Sequence, residues 1–256
     1  MLDESKIEKA LKVADETEAL VIGSNVLHQV SELFKNMFCG RKAIVVADTN
    51  TYRIAGEHVE HLLRDASIKM EESHIFTDPD LFAEYGFVEE LVSVLKNTDA
   101  IPIAVGSGTI NDLTKLASYK TNRRYMCVAT AASMDGYTAF GASITYKGAK
   151  QTFNCPAPRA CLAAVRIIAD APAEMTASGY ADLFAKVTAG ADWILSDALG
   201  VEKIDTQSWN IVQGGLRDAL ANPQGVKERD ESAIEKLIEG LMLGGFAMQA
   251  RKTSRP

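Results

Sequence analysis

Residues 101–115 read IPIAVGSGTINDLTK, an apolar run that passes through a glycine-rich turn into an amphipathic stretch. This order predicts a buried strand, a tight turn and a helix. The N–H groups of the turn and of the first helical residues would point into one concavity, where the helix dipole also favours an anion. The stretch therefore predicts a phosphate cradle, and a tight turn that binds nothing is the alternative. The candidate cradle residues are Gly106, Ser107, Gly108, Thr109 and Ile110.

Around this stretch, short apolar runs alternate with longer amphipathic segments up to about residue 130. Such alternation is typical of βαβ units, so we predict an α/β domain with a parallel sheet over residues 1–168. The predicted strands are Leu20 to Gly23, Ala43 to Asp48, Ser73 to Phe76, Ala100 to Val105 and Tyr125 to Ala129.

The pattern changes after residue 136. Residues 137–158 are rich in Gly, Thr, Ser and Pro, which predicts hairpins or an irregular excursion. Beyond the Ala171-Pro172 step the periodicity is helical, and we predict a second, all-helical domain over residues 169–256. Its predicted helices are Ala177 to Leu199, Trp209 to Ala221 and Ser232 to Gln249.

Three acidic residues are candidates for chemistry. Asp48 closes the second predicted strand, where an acid commonly binds a nucleotide ribose, or it caps the following helix. Asp135 follows the fifth strand, at the edge where α/β sheets bind ligands, or it belongs to an ordinary polar loop. Asp182 enters a helix among small residues and is either a metal ligand or an acid near a helix N-terminus.

The helix after the glycine turn carries two further charged groups. A carboxylate facing a bound pyrophosphate would repel it, so we expect Asp112 to brace the loop from behind. Lys115 belongs to a small basic cluster with Lys120, Arg123 and Arg124, which we interpret as cations at a helix end.

Composition and charge exclude several classes of protein. Acidic residues outnumber basic ones by 34 to 27, and the formal net charge of −7 has the wrong sign for nucleic-acid binding. No stretch approaches the ~20 apolar residues of a membrane span, and the N-terminus has no signal-peptide core. We therefore expect a cytoplasmic protein without nucleic-acid or membrane partners.

Cysteine and histidine patterns do not predict a metal site. The four cysteines form no CxxC pair and are expected to be buried free thiols. His58 and His61 are one helical turn apart, which permits a metal pair but favours a solvated helix face. All four histidines precede the glycine turn, and none is assigned a catalytic role.

Three motifs taken together resemble the iron-containing alcohol dehydrogenase and dehydroquinate synthase-like superfamily. They are residues 106–115, residues 130–136 (TAASMDG) and residues 179–183 (GYADL), in this order. Within the superfamily they look most like the bacterial sn-glycerol-1-phosphate dehydrogenases. The likeness implies a Rossmann-like N-terminal domain, a helical C-terminal domain, and a cleft between them for NAD or NADP, one divalent metal (zinc or nickel) and substrate.

The resemblance also implies a role for each candidate residue. Asp48 would contact the adenosine ribose, residues 106–110 would hold the pyrophosphate, and Thr130 and Ser133 would lie along the nicotinamide. Asp135 would lie near a small phosphorylated polyol or ketone. Asp182 would bind the metal and, through it, a substrate hydroxyl, so that hydride passes to the nicotinamide. A homo-oligomer, most simply a dimer, is expected.

One departure from the superfamily concerns the metal. Its members supply two later histidines, whereas this sequence has no histidine after His74. We therefore expect a C-terminally truncated chain whose helical domain is incomplete. Its last helix should then expose the apolar patch Ile234, Leu237, Ile238, Leu241, Met242, Phe246 and Met248.

Three rival functions remain open on the sequence. The first is a dehydrogenase of glycerol or of another polyol or alcohol. The second is a dehydroquinate synthase-like enzyme with the same cofactor and metal. The third is a nucleotide-binding fragment without turnover. Turnover that responds to added metal would separate the enzymes from the fragment.

Overall fold

The computed structural model describes residues 4–252 of the chain. In that range the strands are β1 (Ala19–Gly23), β2 (Ala43–Asp48), β3 (His74–Phe76), β4 (Ile101–Gly106), β5 (Met126–Ala129), β6 (Ala142–Tyr146), β7 (Ala149–Phe153) and β8 (Ala160–Ala164). The helices are α1 (Glu4–Val13), α2 (Val30–Met37), α3 (Thr49–Thr51), α4 (Glu57–Asp65), α5 (Tyr85–Lys96), α6 (Gly108–Lys120), α7 (Val165–Ala169), α8 (Ala173–Ala198), α9 (Thr206–Ala219), α10 (Pro223–Lys227) and α11 (Glu231–Arg251).

A parallel sheet of six strands forms the centre of the fold, in the order β1-β8-β5-β4-β2-β3. It contains all five predicted strands, with each boundary within one residue of the prediction. Strands β2, β4 and β5 are buried almost throughout, because helices cover both faces of a sheet built from crossover connections. The predicted α/β class is confirmed.

The sixth strand, β8, was not among the predicted strands. It lies between β1 and β5, and Cys161 is in register with Cys127. Its sequence, ACLAA, is fully buried but contains neither β-branched nor aromatic residues. Those side chains carry the local signal for a strand, so β8 is specified by its neighbours in the sheet.

The segment between β5 and β8 contains a hairpin. Hairpins were one of the two alternatives predicted for residues 137–158, and an irregular excursion was the other. Strands β6 and β7 pair antiparallel, and the Tyr146↔Ala149 pair closes a two-residue turn. Lys147 and Gly148 in this turn have φ values of 53° and 77°. Positive φ at both central positions matches the twist of a tight hairpin.

The chain beyond residue 172 is helical, as predicted, and packs directly on the sheet. Helix α11 contacts α9, α8, α7 and β1. Sheet residues such as Cys161 and helix residues such as Leu241 belong to one hydrophobic cluster. Helix α10 is an addition to the three predicted helices.

The prediction of an exposed apolar patch on the last helix was wrong. Each of its seven apolar residues, from Ile234 to Met248, is at most 8% exposed in α11. The helix is central because α1, α8, α9 and α10 surround it. Large exposed apolar side chains occur instead on α8 and the turn after it: Phe184, Val187, Ile194, Leu195, Leu199 and Val201.

Two smaller expectations concern thiols and membranes. Cys127, Cys155 and Cys161 are buried and free, as expected, but Cys39 is exposed because it follows the end of α2 at the surface. None of the helices in the described range is long and apolar enough to cross a membrane.

Candidate functional site

The glycine-rich turn leaves the carboxyl end of β4 and opens helix α6. Ser107 is the N-cap residue, and its side chain makes no capping hydrogen bond. The first intrahelical bond of this turn runs from the Asn111 N–H to the Ser107 carbonyl, 3.0 Å away. The preceding N–H groups, at Gly108, Thr109 and Ile110, therefore have no partner within the helix. The turn has the geometry of an anion cradle.

Close packing requires a glycine at position 106, whereas a side chain at position 108 would meet the movable end of Met134. A Cβ on Gly106 would lie 2.5 Å from the Cβ of Ile110, and a Cβ on Gly108 would lie 2.8 Å from Sδ of Met134. Ile110 is fully buried beneath the turn. Its place below the cradle means that its backbone, and not its side chain, is available to a ligand.

The loop after β5 lies beside this turn, as the sheet order requires. Gly106 is in register with Ala129, and the Thr130 N–H donates to the Gly106 carbonyl at 3.1 Å. Thr130 is buried and Ser133 is half-buried. Both candidates therefore follow the cradle along the carboxyl edge of the sheet, where ligands bind in open α/β folds.

Asp135 and Asp182 meet at the end of this loop. The backbone N–H of Asp135 donates to Oδ2 of Asp182 at 2.8 Å. Burial, and then the neighbouring Asp135 carboxylate, raise the pKa of Asp182 above its ordinary value. The two acids come from the loop after β5 and from α8, and the structure brings them together as one carboxylate pair.

A lysine that the sequence interpretation did not include completes the cluster. Lys186 lies one turn after Asp182 on α8, and its Nζ is 2.6 Å from Oδ2 of Asp135. The two side chains of this ion pair are 10% and 15% exposed. Residues four apart on a helix lie on the same face, so Lys186 shares a face with Asp182. This spacing is the sequence signal from which Lys186 could have been predicted.

Close-approach glycines allow the helices to reach this loop. A Cβ on Gly179 of α8 would lie 1.9 Å from the Ala132 carbonyl oxygen. A Cβ on Gly245 of α11 would lie 2.1 Å from Oγ1 of Thr138. Because these two positions have no side chain, both helices pack directly against the loop that follows β5 and contains Asp135.

Asp112 and Lys115 lie behind the loop. Asp112 accepts a hydrogen bond from the Ser143 N–H at 3.0 Å, so it braces the start of the β6–β7 hairpin, and burial raises its pKa. The interpretation of Lys115 as a cation at a helix end was wrong, because its side chain is fully buried in the interior. Five residues still follow it in α6 before the C-cap, Thr121.

Asp48 lies at the carboxyl end of β2 and is already used as a helix cap. Its Oδ1 accepts from the Asn50 and Thr51 N–H groups at 2.8 and 3.0 Å, and the Thr51 side chain completes a capping box. The capping alternative is therefore confirmed. A contact with a ribose would have to use the half-buried carboxylate in addition to this role.

The histidines and cysteines do not join the site. His58 and His61 are exposed on α4, as expected for a solvated face. Among residues 4–252 no group of three or more His, Cys, Asp or Glu side chains could hold a metal ion. The carboxylates of Asp135 and Asp182 are thus the two acids that the described site supplies.

Comparison with known sequences places most of the chain alongside one enzyme family. The sequence model of the iron-containing alcohol dehydrogenases matches residues 21–172. The glycerol-1-phosphate dehydrogenase (NAD(P)+) of Bacillus velezensis is 32% identical over 97% of this chain and 64% of its own length. That of Pyrococcus horikoshii is 28% identical over 93% of this chain and 67% of its own length. The chain thus spans roughly two thirds of the length of these relatives.

Solved structures show the same fold. A probable glycerol dehydrogenase from Sinorhizobium meliloti has a TM-score of 0.72 at 17% identity, over 92% of this chain and 66% of that one. A sulfoacetaldehyde reductase from Bifidobacterium kashiwanohense, in complex with NAD+, has a TM-score of 0.69 at 16% identity, over 91% and 66% of the chains. At these identities the likeness concerns the arrangement of helices and strands.

Proposed function

The chain belongs to the iron-containing alcohol dehydrogenase family, and on that premise we propose that it acts in the NAD(P)-dependent interconversion of sn-glycerol 1-phosphate and dihydroxyacetone phosphate. The relatives named above, which carry this activity in their names, support the choice of substrate. The observation that carries the proposal is the juxtaposition of an open helix N-terminus with the Asp135–Asp182 pair along one sheet edge.

The cofactor would bind along this edge. The N–H groups of residues 108–110 would donate to the pyrophosphate, and the Ser107 hydroxyl is free of capping bonds. Thr130 and Ser133 would line the nicotinamide, because their loop runs from the cradle toward Asp135. Asp48 would hold the adenosine ribose from the carboxyl end of β2.

The substrate would bind between the nicotinamide and the carboxylate pair. NAD(P), when bound, would supply the acceptor for the hydride from C2 of glycerol 1-phosphate, and the proton of the C2 hydroxyl would leave toward the carboxylate pair. Asp135 and Asp182 would orient that hydroxyl and accept its hydrogen bond. Lys186 would limit the repulsion between the two carboxylates and hold Asp135 in place.

The metal that the family resemblance implies does not fit the described residues by themselves. A catalytic zinc site has about three protein ligands, and nickel likewise favours nitrogen donors. The described site offers two carboxylates, and one of them pairs with an ammonium group at 2.6 Å. Asp182 is the side chain that would contribute to such a centre, and the remaining donors are not among residues 4–252.

Substrate choice is tested by following NADH and NADPH oxidation with dihydroxyacetone phosphate and with dihydroxyacetone, in the presence and absence of zinc or nickel. Where this chain turns over, we expect faster oxidation of the dinucleotide with dihydroxyacetone phosphate than with dihydroxyacetone. Preference for dihydroxyacetone would favour a polyol dehydrogenase, and saturable NADH binding without any turnover would favour a nucleotide-binding fragment. Sedimentation in the same buffer tests the homodimer that belongs to this proposal.

A further inference from the structure

Lys115 is a charged residue buried in the interior, and it makes no ion pair with the Asp135 or Asp182 carboxylate. Its side chain is fully inaccessible, and it projects from the middle of α6. An ammonium group has three hydrogen-bond donors and no acceptor, and its burial is costly unless every donor is satisfied. The partners of Lys115 therefore show what this interior cation does.

All three donors of Lys115 are used by one loop. Nζ lies 2.8 Å from the carbonyl oxygen of Gly136, 2.9 Å from that of Ala139 and 3.0 Å from that of Gly141. These carbonyls begin at the residue directly after Asp135. Gly141 has a φ of +82°, a left-handed backbone conformation at the last of the three carbonyls. We name residues 136–141 the clamp loop.

Lys115 also lies near a buried acid, Asp112, and its charge opposes the effect of burial on the pKa of that carboxyl, but the two side chains are not hydrogen-bonded. The nearest carboxylate oxygen, Oδ1 of Asp112, is 3.8 Å from Nζ, beyond hydrogen-bond distance. Asp112 uses its other oxygen for the Ser143 N–H at 3.0 Å. The hydrogen bonds of Lys115 are therefore made to main-chain carbonyls, and they fix the backbone conformation of the loop.

The clamp loop is held by two helices. Lys115 connects it to α6, and residues of α11 hold it from the other side. On that side, Oγ1 of Thr138 donates to the Met242 carbonyl at 2.7 Å, and the Gln249 side chain donates to the Thr138 carbonyl. Helix α6 begins at the candidate cradle and reaches Lys115 about two turns later. One helix thus carries both the cofactor cradle and the clamp.

We propose that Lys115 is a positioning residue that fixes the clamp loop by three carbonyl contacts and thereby places Asp135 against Asp182 and Lys186. This inference rests on the proposed function, because that function assigns Asp135 its role of orienting the substrate hydroxyl. Lys115 itself touches neither the candidate cradle residues nor the carboxylate pair within hydrogen-bond distance.

The test compares Lys115→Met and Lys115→Gln with Lys120→Met in hydrogen–deuterium exchange of the whole chain. Lys120 lies on the same helix and contacts the Tyr85 ring, away from the loop, so its variant is the matched control. We expect amides of residues 136–141 to exchange at least ~10-fold faster in K115M, with smaller acceleration in K115Q. Amides of β4 and β5 should keep their protection. Unchanged exchange of the clamp loop in folded K115M would overturn the proposal.

A second readout separates positioning from general destabilisation. NADH affinity of K115M, measured by fluorescence, should stay within ~3-fold of the parent, because the cradle lies about two turns away along α6. Where the parent turns over, kcat should fall by ~100-fold without a matching rise in the KM for NADH. Equal losses of NADH affinity and kcat would contradict a positioning role. A parent without turnover would count against the proposed function alone, since the exchange result does not depend on it.

A third experiment tests the positioning role of Lys115 if neither Lys115 variant folds. In the parent chain, exchange is followed at rising, sub-denaturing guanidinium concentrations. Clamping predicts that residues 136–141 open together with α6 as one cooperative unit. Opening of these residues at much lower denaturant than α6 would overturn the proposal.

Discussion

The backbone N–H of Asp135 donates a 2.8 Å hydrogen bond to Oδ2 of Asp182, and this bond joins the carboxyl edge of the sheet to the first long helix of the helical part. Substitution of Asp182 tests its importance. Asp182→Asn keeps an oxygen that can accept this bond, so we expect a folded protein with NADH affinity close to the parent. We expect a loss of turnover of at least ~100-fold, because the second carboxylate of the pair is gone. Asp192→Asn, an exposed change on the same helix, is the control. Full activity of D182N would remove Asp182 from the site.

The Asp135–Lys186 ion pair is buried, and its two members should therefore depend on each other. Lys186→Met leaves the Asp135 carboxylate without its cation at 2.6 Å, and Asp135→Asn removes the carboxylate that pairs with the ammonium group. Each single substitution should reduce the free energy of unfolding by roughly 3 kcal/mol, since an uncompensated buried charge remains. The double variant should recover part of that loss, and urea denaturation of all four proteins gives the coupling energy. Additive effects would mean that the pair is not formed in solution.

Gly179 is predicted to tolerate no side chain. Its added Cβ would lie 1.9 Å from the Ala132 carbonyl oxygen, so Gly179→Ala must push α8 away from the Asp135 loop. We expect a loss of stability of about 2 kcal/mol or more, together with weaker turnover. The matched change is Gly214→Ala in α9, where a Cβ meets nothing within 4 Å and should be neutral or stabilising. Equal thermal midpoints for the two variants would contradict the close packing.

His74 should make the fold sensitive to mild acid. Burial lowers its pKa, and the opposing attraction of Glu90, 3.2 Å away, does not restore it. The unfolded chain therefore takes up a proton near pH 6.5 that the folded chain refuses, and stability falls as the pH decreases through that value. The loss stops once the pH is below the folded pKa. Unfolding free energies at pH 8 and pH 5 should differ less in His74→Gln than in the parent, whereas exposed His58→Gln should behave as the parent.

The exposed apolar face of α8 predicts association of the isolated chain. Phe184 and Leu195 are 55% and 59% exposed and lie three helical turns apart on one side of the helix. Glutamate at both positions should reduce hydrophobic-dye binding and concentration-dependent sedimentation, with a stability change within about 0.5 kcal/mol. Asp192→Asn changes charge on the same helix without removing apolar surface and is the reference. A parent chain that binds no dye and sediments as a monomer at all concentrations would contradict this prediction.

Local sequence signals sufficed for much of the fold. Strand β4 and the glycine turn are adjacent in sequence, so their order alone predicted the strand, the turn and helix α6. Strand β8 lacked such a signal, because ACLAA becomes a strand only when β1 and β5 flank it. The apolar residues of α11 were predicted to be exposed, which was wrong, because their burial depends on the helices that surround α11 and periodicity does not carry that information.

The candidate site shows a similar division. Asp135 and Asp182 were each predicted from their place in a motif, whereas the hydrogen bond between them arises from the packing of α8 on the loop. Lys186 could have been suggested by its spacing from Asp182. Lys115 could not, since three nearby basic residues made it resemble a surface cation. Its burial is visible only when the clamp loop has folded over α6.

The proposed cofactor site is tested most directly by NADH binding to the isotope-labelled chain, followed by amide chemical shifts in solution. If the proposal is right, the dinucleotide lies along the carboxyl edge of the sheet. We expect saturable binding, with the largest shifts at residues 107–110 and 130–135 and smaller ones near residue 48. Shifts confined to other parts of the surface, or no saturable binding at all, would contradict it.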